Sequence, residues 1–143
     1  MHEEASRLRS LLDHADIRDL LTEFARCLDD RDFTGYAALF TEDGALRMPG
    51  AEHHGRAGLA EYVETDLGRY HRTQHLITNH RVETDADRAT SRASVHAVHL
   101  RSADDPSDWW AVGGWYDHTY RRVGKTWLIH TVDITPLWLD EGP

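Results

Sequence analysis

The sequence predicts an α+β domain, in which helices from the first half pack on one face of a curved, mostly antiparallel sheet formed by the second half. Up to residue 67, apolar residues recur at three- and four-residue steps, as on a helix face. From residue 75 onward, apolar stretches are separated by hairpin-type turns. The chain has 143 residues, of which 40% are hydrophobic, which suits one core and one domain over residues 1–143.

The first long helix is indicated by an apolar stripe whose members are Ile17, Leu20, Leu21, Phe24 and Leu28. Asp13 is expected to be the N-cap of this helix, so the core of the domain is predicted to begin at residue 13. Residues 1–12 are then a lead-in, with a short helix over residues 3–12. The acidic run at residues 29–32 ends the apolar pattern and the helix.

Two shorter helices and a first strand are predicted next. The second helix is indicated by Phe33, Tyr36, Leu39 and Phe40, and the third by Leu59, Tyr62, Val63 and Leu67. Between these helices, residues 41–44 have the composition of an exit turn and residues 45–48 that of a short strand. Turns are expected at residues 49–50 and 53–55.

Four longer strands complete the prediction. Residues 75–83 and 88–101 flank an Asp-Ala-Asp hairpin signal, and a polar loop at residues 102–108 leads to strands 109–122 and 126–138. The strand at 109–122 is apolar on both faces, since Trp109 and Trp115 alternate with Val112, Tyr116 and Tyr120. Helices cover only one face, so we expect the other to meet a second subunit in a homodimer or higher homo-oligomer.

Composition excludes several classes of partner. A net charge of −9 does not suit a phosphate backbone, so nucleic acid is not expected. No apolar run approaches the roughly 20 residues of a membrane span, and residues 1–10 lack an apolar signal core, so no membrane association is expected. The single cysteine, Cys27, cannot form an intrachain disulfide, which favours a cytoplasmic location and a packing role for its thiol.

Eleven histidines, a surplus for this length, raise the question of a metal site. His96 and His99 are three apart on a predicted strand, which places their side chains on opposite faces. His71 and His75 have helical spacing, but His75 is expected to open a strand, so no metal site is predicted. Motifs for phosphate binding, dinucleotide binding and a serine nucleophile are absent. Surface, turn or interface positions are expected for His53, His54, His71, His80, His118 and His130.

Asp29 is the most informative carboxylate of the sequence. It follows Leu28 at the C-terminal end of the first helix, where a negative charge opposes the helix dipole. Asp30 or Asp32 suffices to cap the next helix, which leaves one acid of the cluster without a structural role. A half-buried Asp is best accommodated by a cationic or hydrogen-bonding partner, and an imidazole is a natural candidate.

Four segments of the sequence resemble those of a known family. They are RCLDDRDF at residues 26–33, RTQH at 72–75, GGWY at 113–116 and WLI at 127–129. Over roughly residues 13–138, the chain resembles a SnoaL-like domain of the nuclear-transport-factor-2-like superfamily, whose members are cone-shaped α+β barrels. The resemblance is nearest to the branch of scytalone dehydratase, bile-acid 7α-dehydratase and hexachlorocyclohexane dehydrochlorinase, and it implies helices packed in the concave face of the sheet.

This resemblance implies acid–base chemistry without a cofactor. In that branch an Asp at the end of the first helix pairs with a His at the start of a strand, and the matching residues are Asp29 and His75. His75 would act as base, His99 as proton donor, and Tyr116 would polarise a carbonyl. The expected ligand is a small apolar carbonyl or polyketide-like compound, and its other expected contacts are Phe24, Leu28, Val95 and Ala97.

Two functional classes follow from these observations. The first is an enzyme, most simply a dehydratase-type lyase or an isomerase. The second is a non-catalytic ligand-binding protein or accessory subunit on the same fold, and a polyketide cyclase is a further member of this superfamily. The groups that fix the substrate in the related enzymes are replaced here at Phe24, Leu28 and Tyr116, so the resemblance implies the Asp–His pair without implying a particular substrate.

Overall fold

The computed structural model describes residues 1–143. Its elements, in chain order, are α1 (His2–Asp29), α2 (Phe33–Ala38), β1 (Phe40–Met48), β2 (Ala51–His54), α3 (Leu59–Leu67), β3 (Arg72–Asp85), β4 (Arg88–Leu100), β5 (Trp109–Val123) and β6 (Thr126–Asp140). The six strands form one sheet in the order β2-β1-β6-β5-β4-β3, and only the β1–β6 pair is parallel. The predicted α+β class is therefore confirmed.

The core lies between the helices and the concave face of the curved sheet. The α1 stripe supplies Ile17, Phe24 and Leu28, which share one apolar cluster with inward residues of β4 and β5 such as Val95 and Tyr116. Because side chains alternate along a strand, the same strands present their other residues on the outer face. No helix in the chain is both long and apolar enough to cross a bilayer.

The expectation that Asp13 caps the first helix is wrong. Helix α1 runs without a break from His2 to Asp29, and Asp13 lies buried inside it. Its Oδ2 accepts a hydrogen bond from the Arg122 guanidinium at 3.0 Å, and its Oδ1 accepts one from Trp127 Nε1 at 3.2 Å. The carboxylate joins the helix to the β5–β6 hairpin, so long-range partners and not a free helix end account for its position.

The predicted turns at residues 41–44 and 53–55 are also corrected. Residues 41–44 lie within β1, where the register against β6 shifts between the pairs Phe40–Ile129 and Ala45–Thr131. A bulge of this kind accommodates extra residues in a strand, so a turn-like composition does not end it. His53 and His54 belong to β2, and the reversal occurs at residues 49–50, where Gly50 has a φ of 78°.

Two other predicted boundaries shift: α2 ends at Ala38, so Phe40 opens β1 instead of belonging to the helix, and β3 begins at Arg72, three residues before His75. Other elements agree with the prediction. The third helix, the hairpin at residues 85–87 and the loop at 102–108 all lie where the pattern places them. Trp109 and Trp115 lie on the outer face of β5, whereas Tyr116 and Tyr120 point into the core. Outer-face residues such as Leu76 and Trp138 are each 46% exposed, so an apolar sheet surface faces solvent in the isolated chain.

Candidate active site

The three neighbouring acids at the end of α1 have different roles. Asp30 pairs with Arg26 on the surface at 3.1 Å, and Asp32 caps α2 by accepting a hydrogen bond from the Gly35 backbone N–H at 2.9 Å. Asp29 does neither, because its side chain points towards β3. The carboxylate without a structural role on its own helix is thus the one directed at another element.

Asp29 binds the start of β3 through three hydrogen bonds. Its Oδ1 lies 2.7 Å from His75 Nδ1 and accepts a hydrogen bond from Thr73 Oγ1 at 3.0 Å. Its Oδ2 accepts one from the His75 backbone N–H at 2.9 Å. An ionised carboxylate only accepts hydrogen bonds, so this geometry places the ring proton on Nδ1 and leaves Nε2 with its lone pair free.

His75 is well buried, whereas the carboxylate behind it is partly open. The His75 side chain is 4% exposed and that of Asp29 is 25% exposed. His75 lines an apolar cavity between the helices and the sheet, and Asp29 is not part of the cavity wall. The imidazole is therefore available to a molecule in the cavity, while the carboxylate outside the cavity orients the ring.

His99 lies in the same cavity on the neighbouring strand, with its ring centroid 6.1 Å from that of His75. It stacks face to face on Trp110 at 3.9 Å and contacts Tyr70 at 5.1 Å, and its Nδ1 has no hydrogen-bond partner. Burial lowers the pKa of His99 to about 4, and the nearby His75 acts in the same direction. His99 is therefore neutral at neutral pH. His96, as predicted, lies on the opposite face, beside Trp138.

The cavity has a volume of about 290 Å³ and is lined mostly by apolar side chains. Of the residues predicted to contact ligand, the cavity wall contains Phe24, Leu28, Ala97 and Tyr116. Val95 is buried in the same core cluster as these four residues but is not part of the cavity wall. Burial raises the pKa of the Tyr116 hydroxyl, and the charge of Asp29 adds to this, so the hydroxyl keeps its proton and can donate.

Sequence reasoning missed much of the cavity wall. The missed residues on the helices, on β1 and in the turn after it include Tyr36, Leu46, Met48, Pro49, Tyr62, Val63, Asp66 and Leu67. Those on β5 and β6 include Trp110, Val112, Ile134, Pro136 and Leu139. Strand alternation gave a usable signal for two of them, since Trp110 and Val112 are in phase with Tyr116. The others depend on how α3 and the end of β6 close over the sheet.

His118 also departs from its predicted surface, turn or interface position. It is 1% exposed, lies between Phe24 and Tyr120, and neither ring nitrogen has a hydrogen-bond partner. Burial lowers the pKa of His118 to about 3, so it is a neutral core residue. Its even spacing from Tyr116 on β5 is the signal that places it on the inner face. No three His, Cys, Asp or Glu side chains are grouped as metal ligands.

Fold and site together define an α+β cone that encloses an apolar cavity with two histidines, one of them bound to a carboxylate. The sequence profile of the SnoaL-like domain matches residues 9–133. The chain therefore belongs to the SnoaL-like domain family, and the resemblance drawn from the sequence is confirmed. One curated relative, the uncharacterized protein Rv2910c of Mycobacterium tuberculosis, is 26% identical over 119 residues, which cover 82% of this chain and 80% of that protein.

Similar solved structures include dehydratase-type and dehydrochlorinase proteins. A scytalone dehydratase-like protein of Novosphingobium aromaticivorans is 20% identical and covers 94% of this chain and 90% of its own, with a TM-score of 0.84. A hexachlorocyclohexane dehydrochlorinase, LinA type 2, is 21% identical and covers 93% and 90%, with a TM-score of 0.83. At these identities the likeness shows the shared fold.

Proposed function

We propose that this protein is a cofactor-independent lyase of the dehydratase type, acting on a small apolar carbonyl compound. The observation that carries the proposal is that Asp29 fixes His75 with its Nδ1 occupied and its Nε2 free, at the wall of an apolar cavity. A base for proton abstraction needs a free lone pair, a fixed orientation and exclusion of bulk water. All three are properties of this histidine.

The reaction proposed is loss of water from a β-hydroxy carbonyl compound. His75 Nε2 takes the proton from the carbon beside the carbonyl, the C–H electrons form the new double bond, and the C–O bond to the hydroxyl breaks. The leaving hydroxyl takes up the proton that His75 removed from carbon and departs as water, which returns His75 to its neutral form, so atoms and charge balance without a cofactor. Asp29 stabilises the imidazolium that forms at His75, in the role that a carboxylate plays behind any catalytic imidazole.

His99 and Tyr116 suit the polar ends of such a substrate. Since His99 is neutral, it serves as a hydrogen-bond donor to the departing hydroxyl or the carbonyl oxygen and not as a charged acid. The protonated Tyr116 hydroxyl can polarise the carbonyl. If the proton on His75 returned to a different carbon, the same site would act as an isomerase, and if the carbanion attacked a second carbonyl it would act as a cyclase.

The cavity limits the substrate to a compact, largely apolar molecule. Its volume of about 290 Å³ is near the lower end of ligand-pocket sizes, which run from about 300 Å³ upward. Further support comes from the similar structures described as a scytalone dehydratase-like protein and a dehydrochlorinase, because both of those names describe eliminations. The SnoaL-like family itself is compatible with either lyase or cyclase activity.

The test is turnover of a panel of small cyclic β-hydroxyketones, followed by the absorbance of the enone product. Exchange of the α-proton in deuterated water is measured in parallel. We expect the wild-type protein to be active and His75→Gln to lose a factor of about 10² to 10⁴. His96→Gln, on the opposite face of the same sheet, is the matched control and is expected to retain full activity.

Two outcomes would count against the proposal. Equal turnover in His75→Gln and wild type would remove the base from the mechanism. Binding of the ketones with equal affinity in both proteins, without elimination or exchange in either, would favour the non-catalytic ligand-binding alternative.

A further inference from the structure

Arg31 occupies a backbone position at which glycine is the usual residue. The Asp32 N–H donates to the Cys27 carbonyl at 2.8 Å, and the Arg31 N–H donates to that of Leu28 at 3.2 Å. This pair of bonds closes α1 as a Schellman motif, whose left-handed position favours glycine because it has no Cβ. Arg31 holds that position with a φ of 61°. An unfavourable backbone conformation of this kind indicates that the side chain of the residue has a role in the structure or function.

The Arg31 side chain clamps a distant part of the chain. Its guanidinium donates to the Tyr70 carbonyl at 2.6 Å and to the Gly68 carbonyl at 2.8 Å, across 39 and 37 residues of sequence. Gly68 is the C-cap of α3, where a cation interacts favourably with the helix dipole. The clamp therefore joins the end of α1 to the connection between α3 and β3.

This connection leads directly into the candidate site. Thr73 and His75, which bind Asp29, follow Tyr70 within five residues. The Tyr70 ring contacts His99 at 5.1 Å. One side chain thus fixes the backbone that carries His75 and the aromatic ring that packs against His99, from a position two residues after Asp29.

We propose that Arg31 is a positioning residue, whose guanidinium holds the α3–β3 connection so that Asp29, His75 and His99 keep their mutual geometry. The catalytic consequence rests on the proposed function, whereas the geometric consequence does not. Arg31 touches neither the cavity nor a reacting atom, so it acts through Tyr70 and the start of β3.

The glycine variant separates the backbone from the side chain. Arg31→Gly suits the left-handed position and deletes only the clamp, and Arg31→Asn is a second variant that also tolerates this conformation. In protein labelled with ¹⁵N-histidine, we expect the His75 Nδ1 proton, seen downfield in the wild type because of its bond to Asp29, to broaden or disappear in both variants. Turnover of the β-hydroxyketone panel is expected to fall about 10²-fold, mainly in kcat.

Two further variants sharpen the test. Arg31→Lys replaces the planar guanidinium by a single ammonium, which can donate well to only one of the two carbonyls. We therefore expect a His75 Nδ1 proton signal and a turnover rate between those of the wild type and Arg31→Gly. Arg26→Ala removes an exposed arginine of α1 that pairs only with the nearby Glu23, Asp30 and Asp32, and it is expected to leave the His75 signal and the turnover rate unchanged.

An unchanged His75 signal in Arg31→Gly and Arg31→Asn would overturn the proposal, as would an equal loss of signal in Arg26→Ala. A signal lost only in the Arg31 variants supports positioning even if His75→Gln retains full turnover, a result that would reject the lyase mechanism and leave the clamp standing.

Discussion

Asp29 holds His75 at two points, accepting a hydrogen bond from its backbone N–H at 2.9 Å through Oδ2 and one from its ring at 2.7 Å through Oδ1. Because one carboxylate forms hydrogen bonds to both the backbone and the ring, the side-chain torsions of His75 are fixed relative to the strand. The Thr73 hydroxyl in turn orients the carboxylate. The imidazole is thus oriented before any ligand enters, as the proposed proton transfer requires.

Asp29→Asn is expected to abolish most turnover while the protein stays folded. The amide would present an N–H₂ group to the ring and favour the tautomer with the proton on Nε2, which cannot accept a proton from substrate. We expect a loss of about 10² to 10⁴ in kcat, measured on the ketone panel. Asp30→Asn, whose carboxylate pairs with Arg26 on the surface, is the control. Equal rates in the two variants would contradict the role of Asp29.

His99→Gln is expected to lower the rate without changing the shape of its pH dependence. With its pKa lowered to about 4, His99 stays neutral above about pH 5 and adds no ionisation to the profile there. Loss of its hydrogen bond to the substrate should reduce kcat about 10-fold, since one such bond contributes about 1.4 kcal/mol or less. A profile that loses an inflection between about pH 5 and 8 in the variant would show that His99 titrates in catalysis.

The buried His118 is expected to make the free energy of unfolding depend on pH. Its pKa is about 3 in the folded protein and 6.5 in the unfolded chain, so the unfolded state binds more protons below about pH 6.5. Stability is therefore lost as the pH falls from 6.5 towards 3, by up to about 1.4 kcal/mol per pH unit. His118→Phe keeps the stacking on Tyr120 and removes this proton uptake.

We expect His118→Phe to raise the free energy of unfolding by about 1 kcal/mol at pH 7, since it removes two unpartnered ring nitrogens, and by more at pH 5. Urea unfolding at a series of pH values measures both effects. His71→Gln, at an exposed position between α3 and β3, is the control and is expected to have the wild-type slope. A wild-type slope in His118→Phe would mean that His118 does not couple folding to protons.

Asp13→Ala is expected to destabilise the protein by about 3 kcal/mol, because it breaks a buried ion pair. The variant deprives Arg122 and the Trp127 indole of their common acceptor, and it weakens the attachment of α1 to the β5–β6 hairpin. The control is Asp16→Ala, an exposed position on the same helix. Chemical denaturation of the two variants should differ clearly, and equal midpoints would assign the anchoring of α1 to its apolar stripe alone.

The outer sheet face is expected to bind a second copy of the chain. Leu76 and Trp138 expose 46% of their surface there, next to His96, in an area with few charges. Light scattering at micromolar concentration should give at least a dimer for the wild type and a monomer for Leu76→Glu. Val123→Glu changes a side chain that is 54% exposed at the β5–β6 turn, so it serves as the control and should remain a dimer. A monomeric wild type would contradict this expectation.

Periodicity and chemistry along the chain were enough for the fold class and for Asp29, the carboxylate of the candidate site. The apolar stripe of α1 and the alternation in β3 to β6 follow from backbone geometry, which is local and repeats regularly. Asp29 was recognisable because a carboxylate at a helix C-terminus has no local reason to be there. His75 was reached only through the resemblance, since no local pattern links residues 46 positions apart.

Only the tertiary structure decided which parts of the fold several residues contact. The sequence predicted Asp13 as a helix cap and His118 as a peripheral histidine, and the resemblance implied Val95 as a ligand contact. Arg31 was only a member of the acidic run at residues 29–32. In the fold, Asp13 binds the far hairpin, and His118 and Val95 lie in the core. Arg31 clamps the connection that leads into the strand carrying His75. The reason is physical: periodicity fixes which way a side chain points from its own element, but the curvature and register of the sheet determine which element it meets.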